Sequence, residues 1–286
     1  MDIKDPSKDR FHQLVAWILL GGLLCLRLPF LAAIGFFASP DWLDPVFQSG
    51  TYLLTAGLIW WERDRLASFN IDMLAIAIII LFKPVQTILF PVWKMGVSLL
   101  AWPNLPYLSF WIVSLGLFLA LRLNHAPLPK ISRASWRWFG VGLLVGFLSI
   151  LVTAFPTSLE IVKSQVYASP NILGMLFQAP REFFYQLGYA AVTEEPLFRA
   201  FLWGYLQKAG WKTVWIWLFQ AGLFMLGHMY YLIKLPLSFW LVIPIGGLIL
   251  GGLVWRSKTI SSSLAAHAIM NTFEYPLANI IASFRL

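Results

Sequence analysis

Charge is scarce in this sequence, and its scarcity decides the solvent. Asp, Glu, Lys and Arg make up only 12% of the 286 residues, against roughly 25% in a soluble domain, which excludes a fold surrounded mainly by water. Cysteine is rarer still. Cys25 stands alone, so an intramolecular disulfide and a multi-cysteine metal site are excluded, and the redox compartment stays unread. Internal repeats and low-complexity tracts are lacking, as is a lipidation box at either end. The first apolar stretch, about Val15 to Phe37, is too long for a signal-peptide core and has no convincing small-residue cleavage site. The expectation is a retained first transmembrane helix, with anchoring supplied by the helices themselves.

What is there is apolar. Hydrophobic residues make up 59% of the chain, and the mean hydropathy is +0.73. A bilayer core about 30 Å thick asks for about 20 apolar residues per helix, and such stretches recur along almost the whole chain. After the first they run from about Val46 to Trp61, Ile71 to Phe90, Tyr107 to Leu121 and Trp138 to Phe155. A polar connection, PTSLEIVKSQVYASPN, is followed by a long helical pattern from Pro180 to Gln207. Spans from Val214 to Leu232, Leu237 to Trp255 and Ile260 to Phe284 complete the series. Lys83, Pro84 and Pro91 interrupt the third stretch, which could split there or continue as a re-entrant segment to Trp102. The expected fold class is all-α, a polytopic transmembrane helix bundle with about eight to ten spans.

The net charge of +8 falls mainly in the connections: Lys4, Lys8 and Arg10; Arg63 and Arg65; Arg122, Lys130, Arg133 and Arg137; Lys208 and Lys212; Arg256 and Lys258. With nine spans these clusters occupy every second connection. The positive-inside rule then puts the N-terminus in the cytoplasm, and the expected location is the cell (inner) membrane. Basic residues so distributed report orientation, so the expected partner is the lipid bilayer and no nucleic acid is expected.

Ionisable side chains inside a bilayer are costly, and their default reading is functional when they face the protein interior. Three clusters answer that description. In AVTEEPLFRAFLWGYLQ, Glu195 and Arg199 are four apart and share a helix face, so a structural ion pair is the plain reading for those two. Glu194 lies about 100° round from Glu195 and needs another partner, while Pro196, without an amide hydrogen, bends the helix or marks its start and opens backbone groups near the carboxylates. In FMLGHMYY, His228 lies deep in an apolar span after Phe224. A lone histidine there is more often a satisfied core residue. In SSSLAAHAIMNTFEYP, His267 and Asn271 are four apart on one face. Asn271 could simply bond across helices, yet an imidazole beside a carboxamide also provides two neutral donors for a developing oxyanion. A carboxylate, two imidazoles and an amide from three helices suffice to activate water and hold a tetrahedral intermediate.

At these residues the sequence resembles the CAAX protease and bacteriocin-processing family, also called the Abi or type II CAAX prenyl endopeptidase family. Its motifs EExxxR, FxxxH and HxxxN read here as Glu194, Glu195 and Arg199; Phe224 and His228; and His267 and Asn271, in the family's order. The resemblance covers about Tyr185 to Tyr275 and implies a glutamic-type intramembrane endopeptidase acting on a membrane-associated protein or peptide. It implies that Glu194 with His228 activates water, that His267 with Asn271 forms the oxyanion site, and that Glu195 and Arg199 support Glu194. It divides the chain into accessory helices, residues 1–179, and a catalytic membrane core, residues 180–286. No cofactor is expected. Glu194, His228 and His267 could form a zinc set, but the local HExxH arrangement is missing. The alternative from another class is a non-catalytic transporter or immunity-type binding protein built around the same buried polar cluster.

Overall fold

In an apolar solvent every backbone N–H and C=O needs an internal partner, which a helix provides within one segment. The computed structural model describes residues 6–30, 43–93, 105–164 and 172–284. Of these residues 89% are helical and none lies in a strand. The expected continuation from residue 94 to Trp102 and the end of the first span, residues 31–37, lie outside the described residues.

Helix α1 (Pro6–Cys25) continues into a π-helical stretch (Leu26–Phe30). Helix α2 (Leu43–Trp61) passes through a 3-10 segment (Arg63–Phe69) into α3 (Met73–Trp93). The two segments meet at 108°, and Asn70 at the corner has a φ of 58°, the left-handed conformation that asparagine tolerates better than most residues. The third span does not split at Lys83 or Pro84; it bends at its beginning instead. Two neighbouring helices explain why. Pro84 leaves the Ile80 carbonyl without its helical donor, and Ser114 of α4 (Leu105–Leu123) donates to that oxygen. The buried ammonium of Lys83 donates to Gln48 Oε1 at 2.8 Å.

Helix α5 (Arg133–Ser164) runs 32 residues, well past Phe155, so the first part of the expected polar connection is helical. Its hydroxyls turn inward: Thr157 Oγ1 donates to Glu274 at 2.6 Å and Ser158 Oγ to the Phe155 carbonyl at 2.7 Å. Glu160 accepts from the Ser238 amide at 3.2 Å and from the Leu237 amide, capping the segment that follows α9. Helix α6 (Ile172–Thr193) leads through Glu194 and Glu195 into a π-helical stretch (Pro196–Leu202) and α7 (Trp203–Lys208). Helix α8 (Thr213–Leu226) ends six residues before the expected Leu232, in a turn that precedes the short α9 (Tyr231–Lys234). A π-helical stretch (Ser238–Val242), α10 (Ile243–Ser257) and α11 (Ile260–Ser283) complete the fold.

Three described stretches are long and apolar enough to cross a membrane: Arg10–Phe30, Arg133–Lys163 and Ser238–Ser257, or up to four if the bent pair counts as one. The expected count of eight to ten is not confirmed among the described residues, and two of the elements fall short for identifiable reasons. Helix α8, at 14 residues, reaches only about 21 Å at about 1.5 Å per residue. Asp44, Gln48 and Ser49 dilute the first half of α2. Helices α5 and α11 pack so closely at Gly142 and Gly146 that a side chain at either position would collide with the backbone of Ser262 or Ala266. Small residues permit such an approach where no hydrophobic effect drives helices together. This contact fixes α11, and with it His267, against α5, the longest of the described helices.

Candidate active site

The α6–α7 junction begins the site. Pro196 cannot donate to the Val192 carbonyl one turn earlier, and Thr55 Oγ1 of α2 takes its place at 3.0 Å. The wide turn that follows is wholly buried from Pro196 to Leu202, and it carries Arg199 back beneath Glu195, Nη1 to Oε1 at 3.3 Å. The pairing read from the four-residue spacing is present. Both side chains are fully enclosed, and the guanidinium also lies over the Phe224 ring, 4.2 Å from its centroid.

His228 is not within a span but in the turn after α8, with its amide bonded to the Met225 carbonyl at 2.9 Å. Its Nδ1 lies 2.8 Å from the Phe224 carbonyl. A carbonyl only accepts, so Nδ1 carries the proton and Nε2 presents its lone pair. Phe224 thus organises two groups: its carbonyl sets the His228 tautomer and its ring packs 4.6 Å from that imidazole, while the same ring lies against the Arg199 guanidinium. His267 on α11 joins the two glutamates: Nδ1 lies 2.7 Å from Glu195 Oε1 and Nε2 3.3 Å from Glu194 Oε2. His228 Nε2 is 3.8 Å from Glu194 Oε1.

The partner that Glu194 requires is one that spacing alone does not supply. Arg27, from the π-helical end of α1, reaches Glu194 Oε1 at 2.5 Å with Nη2, and the same nitrogen donates to His228 Nε2 at 3.0 Å. Its signal in the sequence is an arginine inside the first apolar span, which is itself a rare and costly placement. The centre therefore balances two buried carboxylates, Glu194 and Glu195, against two buried guanidiniums, Arg27 and Arg199.

Glu194, His228, His267 and Asn271 all border one cavity of about 480 Å³, with Tyr189 and Tyr231 among its other walls. Glu195 and Arg199 are not on its lining and sit behind it. Asn271 is drawn toward α6, donating to Gln186 Oε1 at 3.0 Å, and Gln186 in turn donates to Glu182 at 2.8 Å. The cross-helix bond left open for Asn271 by the sequence is thus formed.

Among the described residues no group of three His, Cys, Asp or Glu side chains is arranged to hold a metal. The donor set Glu194, His228 and His267 does not fit zinc in this arrangement. The Arg27 guanidinium, bonded to both Glu194 Oε1 and His228 Nε2, puts a permanent positive charge where a dication would bind.

Residues 177–273 match the family model described as type II CAAX prenyl endopeptidase Rce1-like. The match spans all the motif residues from Glu194 to Asn271 and leaves the first 176 residues, Arg27 included, outside it. No curated protein and no solved structure matches the chain. The family match and the three long apolar helices indicate a membrane protein, and the family indicates an intramembrane protease, a hydrolase acting on a protein or peptide.

Proposed function

We propose that this protein is a glutamate-dependent intramembrane endopeptidase that hydrolyses a peptide bond near the C-terminus or at a leader junction of a membrane-associated protein or peptide. The observation that carries this reading is the convergence of Glu194, His228 and His267, with Glu194 within 3.8 Å of both imidazoles, on a single polar cavity. In the proposed reaction Glu194 takes a proton from water as the water oxygen attacks the carbonyl carbon. The oxyanion is met by neighbouring donors, and the proton passes to the leaving nitrogen as the C–N bond breaks. His228 assists Glu194, while His267 and Asn271 receive the oxyanion; Glu195 and Arg199 hold His267 and the wide turn in place. No cofactor is assigned. The bundle would span the bilayer eight to ten times with its N-terminus in the cytoplasm, the first 179 residues surrounding a core formed by residues 180–286.

One observation favours a second division of labour. Glu194 Oε1 is engaged by Arg27, whereas Oε2 is buried without a hydrogen-bond partner and faces His267 Nε2 at 3.3 Å. On this second reading the water is activated between Glu194 and His267, and Glu195 orients His267 through Nδ1. The two divisions differ in one variant. His267→Gln, which keeps an amide donor, retains part of the activity if His267 serves the oxyanion and is as silent as Glu194→Gln if it serves the water.

The test is to compare the protein termini in membranes of cells carrying wild-type or Glu194→Ala protein. Termini that vanish with Glu194→Ala, and with His228→Ala, are expected and would name the substrate. Identical termini at equal abundance of the two proteins would sink the protease and leave a non-catalytic transporter or immunity-type binding protein. Liposome flux abolished by Glu194→Gln would mark the transporter.

A further inference from the structure

The shortest ion-pair contact of Glu194 among the described residues comes from outside the matched region. Arg27 is 1% exposed, lies 167 positions before Glu194 in the sequence, and touches it at 2.5 Å. Three facts bear on its purpose. First, Arg199 already faces Glu195, so without Arg27 the buried centre would hold two carboxylates and one guanidinium. A carboxylate left uncompensated in a low-dielectric interior takes up a proton instead of staying charged, and a protonated Glu194 cannot accept the proton of water. Second, Arg27 engages one oxygen only. Oε1 is bonded and Oε2 is left open on the side of His267, so the guanidinium turns the carboxylate as well as neutralising it. Third, the same Nη2 occupies the lone pair of His228 Nε2, which together with the Phe224 carbonyl at Nδ1 holds that ring in a single tautomer.

We infer that Arg27 is a positioning residue of this site: it keeps Glu194 a carboxylate, directs Oε2 toward the attacking water and locks the His228 tautomer, so that the first helix belongs to the catalytic unit. This rests on the proposed role of Glu194, and it holds for either division of labour between the histidines. An ordinary structural ion pair would also bury Arg27. Its removal would cost stability but leave the formation of Glu194-dependent termini, per folded protein, unchanged.

The experiment uses the full chain and needs no known substrate. Cells expressing wild type, Glu194→Gln, Arg27→Met, Arg27→Gln or Arg27→Lys at matched abundance are scored for Glu194-dependent termini on membrane proteins. Infrared difference spectra of the purified proteins are read for a protonated carboxyl band that disappears when Glu194→Gln is added. Arg27→Met is expected to lower formation of those termini by about 100-fold or more, the scale set by stranding one member of a buried pair, and to gain the protonated carboxyl band. Arg27→Lys is expected to restore part of the activity and to lack the band. If Arg27→Met cannot be recovered folded, Arg27→Gln, which keeps a donor and loses the charge, decides in its place. Wild-type levels of termini in Arg27→Met, with Glu194→Gln silent, would overturn the inference and leave the protease standing. Arg27→Lys as silent as Arg27→Met would also overturn it, because charge would not be what counts. If Glu194→Gln itself changes no termini, the protease fails, and the carboxyl band alone then decides whether Arg27 holds Glu194 charged.

Discussion

At the scale of single residues the centre is a balance of opposite charges that water cannot relieve. Burying an ion pair contributes little net stability, but removing one partner leaves a bare charge and costs about 3–5 kcal/mol. Arg199 and Glu195 are both fully enclosed, so Arg199→Met should destabilise the protein in detergent by a free energy of that order. The pair variant Glu195→Gln with Arg199→Met should be closer to wild type than Arg199→Met alone, a coupling that thermal unfolding of the four proteins would measure. Equal effects in the single and double variants would show that the two side chains do not compensate each other. Several of these relations are legible in the amino-acid sequence itself. A four-residue spacing announces the Glu195–Arg199 pair and the shared face of His267 and Asn271, and the helical offset of Glu194 announces that it needs a further partner. The identity of that partner is not legible there, because Arg27 and Glu194 meet only through packing between helices far apart in sequence.

Among the elements, the recurring theme is a proline that strips a carbonyl of its donor and a neighbouring helix that replaces it. Pro84 frees Ile80 and Ser114 answers; Pro196 frees Val192 and Thr55 answers. An unsatisfied buried carbonyl costs about 1–3 kcal/mol. Thr55→Val, which keeps the shape and removes the hydroxyl, should therefore destabilise the protein by about that much. Adding Pro196→Ala, which returns an amide hydrogen to the turn, should recover part of the loss. Unfolding curves in detergent would check both, and an unchanged midpoint in Thr55→Val would mean that the bond is worth nothing net. The same theme shows what sequence periodicity can and cannot deliver. It locates nearly every helix. It reads Lys83 and Pro84 as breakers because their compensations lie on α2 and α4, and it ends α5 early because the Ser and Thr hydroxyls beyond Phe155 look like a connection in the absence of their partners within and between helices. The end of α8 at Leu226 escapes it too, since FMLGHMYY stays apolar while the backbone turns.

For the whole molecule, charge distribution addresses orientation. Lys212 and Lys258 belong to the basic clusters, and Lys234 is isolated in an alternate connection. Cysteines introduced at these three positions, in a chain whose Cys25 is replaced by Ala, should label from the cytoplasmic side at 212 and 258 and from the opposite side at 234. Labelling of all three from one face would contradict the alternation of spans between them.

The distribution of the site along the chain also sets when it can exist. Arg27 leaves the ribosome 201 positions ahead of His228, with His267 later still on α11. Through a long stretch of synthesis the growing chain holds an arginine without its carboxylate, then carboxylates without their imidazoles. If the proposed protease uses these residues, a chain assembled in that order would be silent until α11 has joined the others, because its carboxylates and imidazoles meet only then.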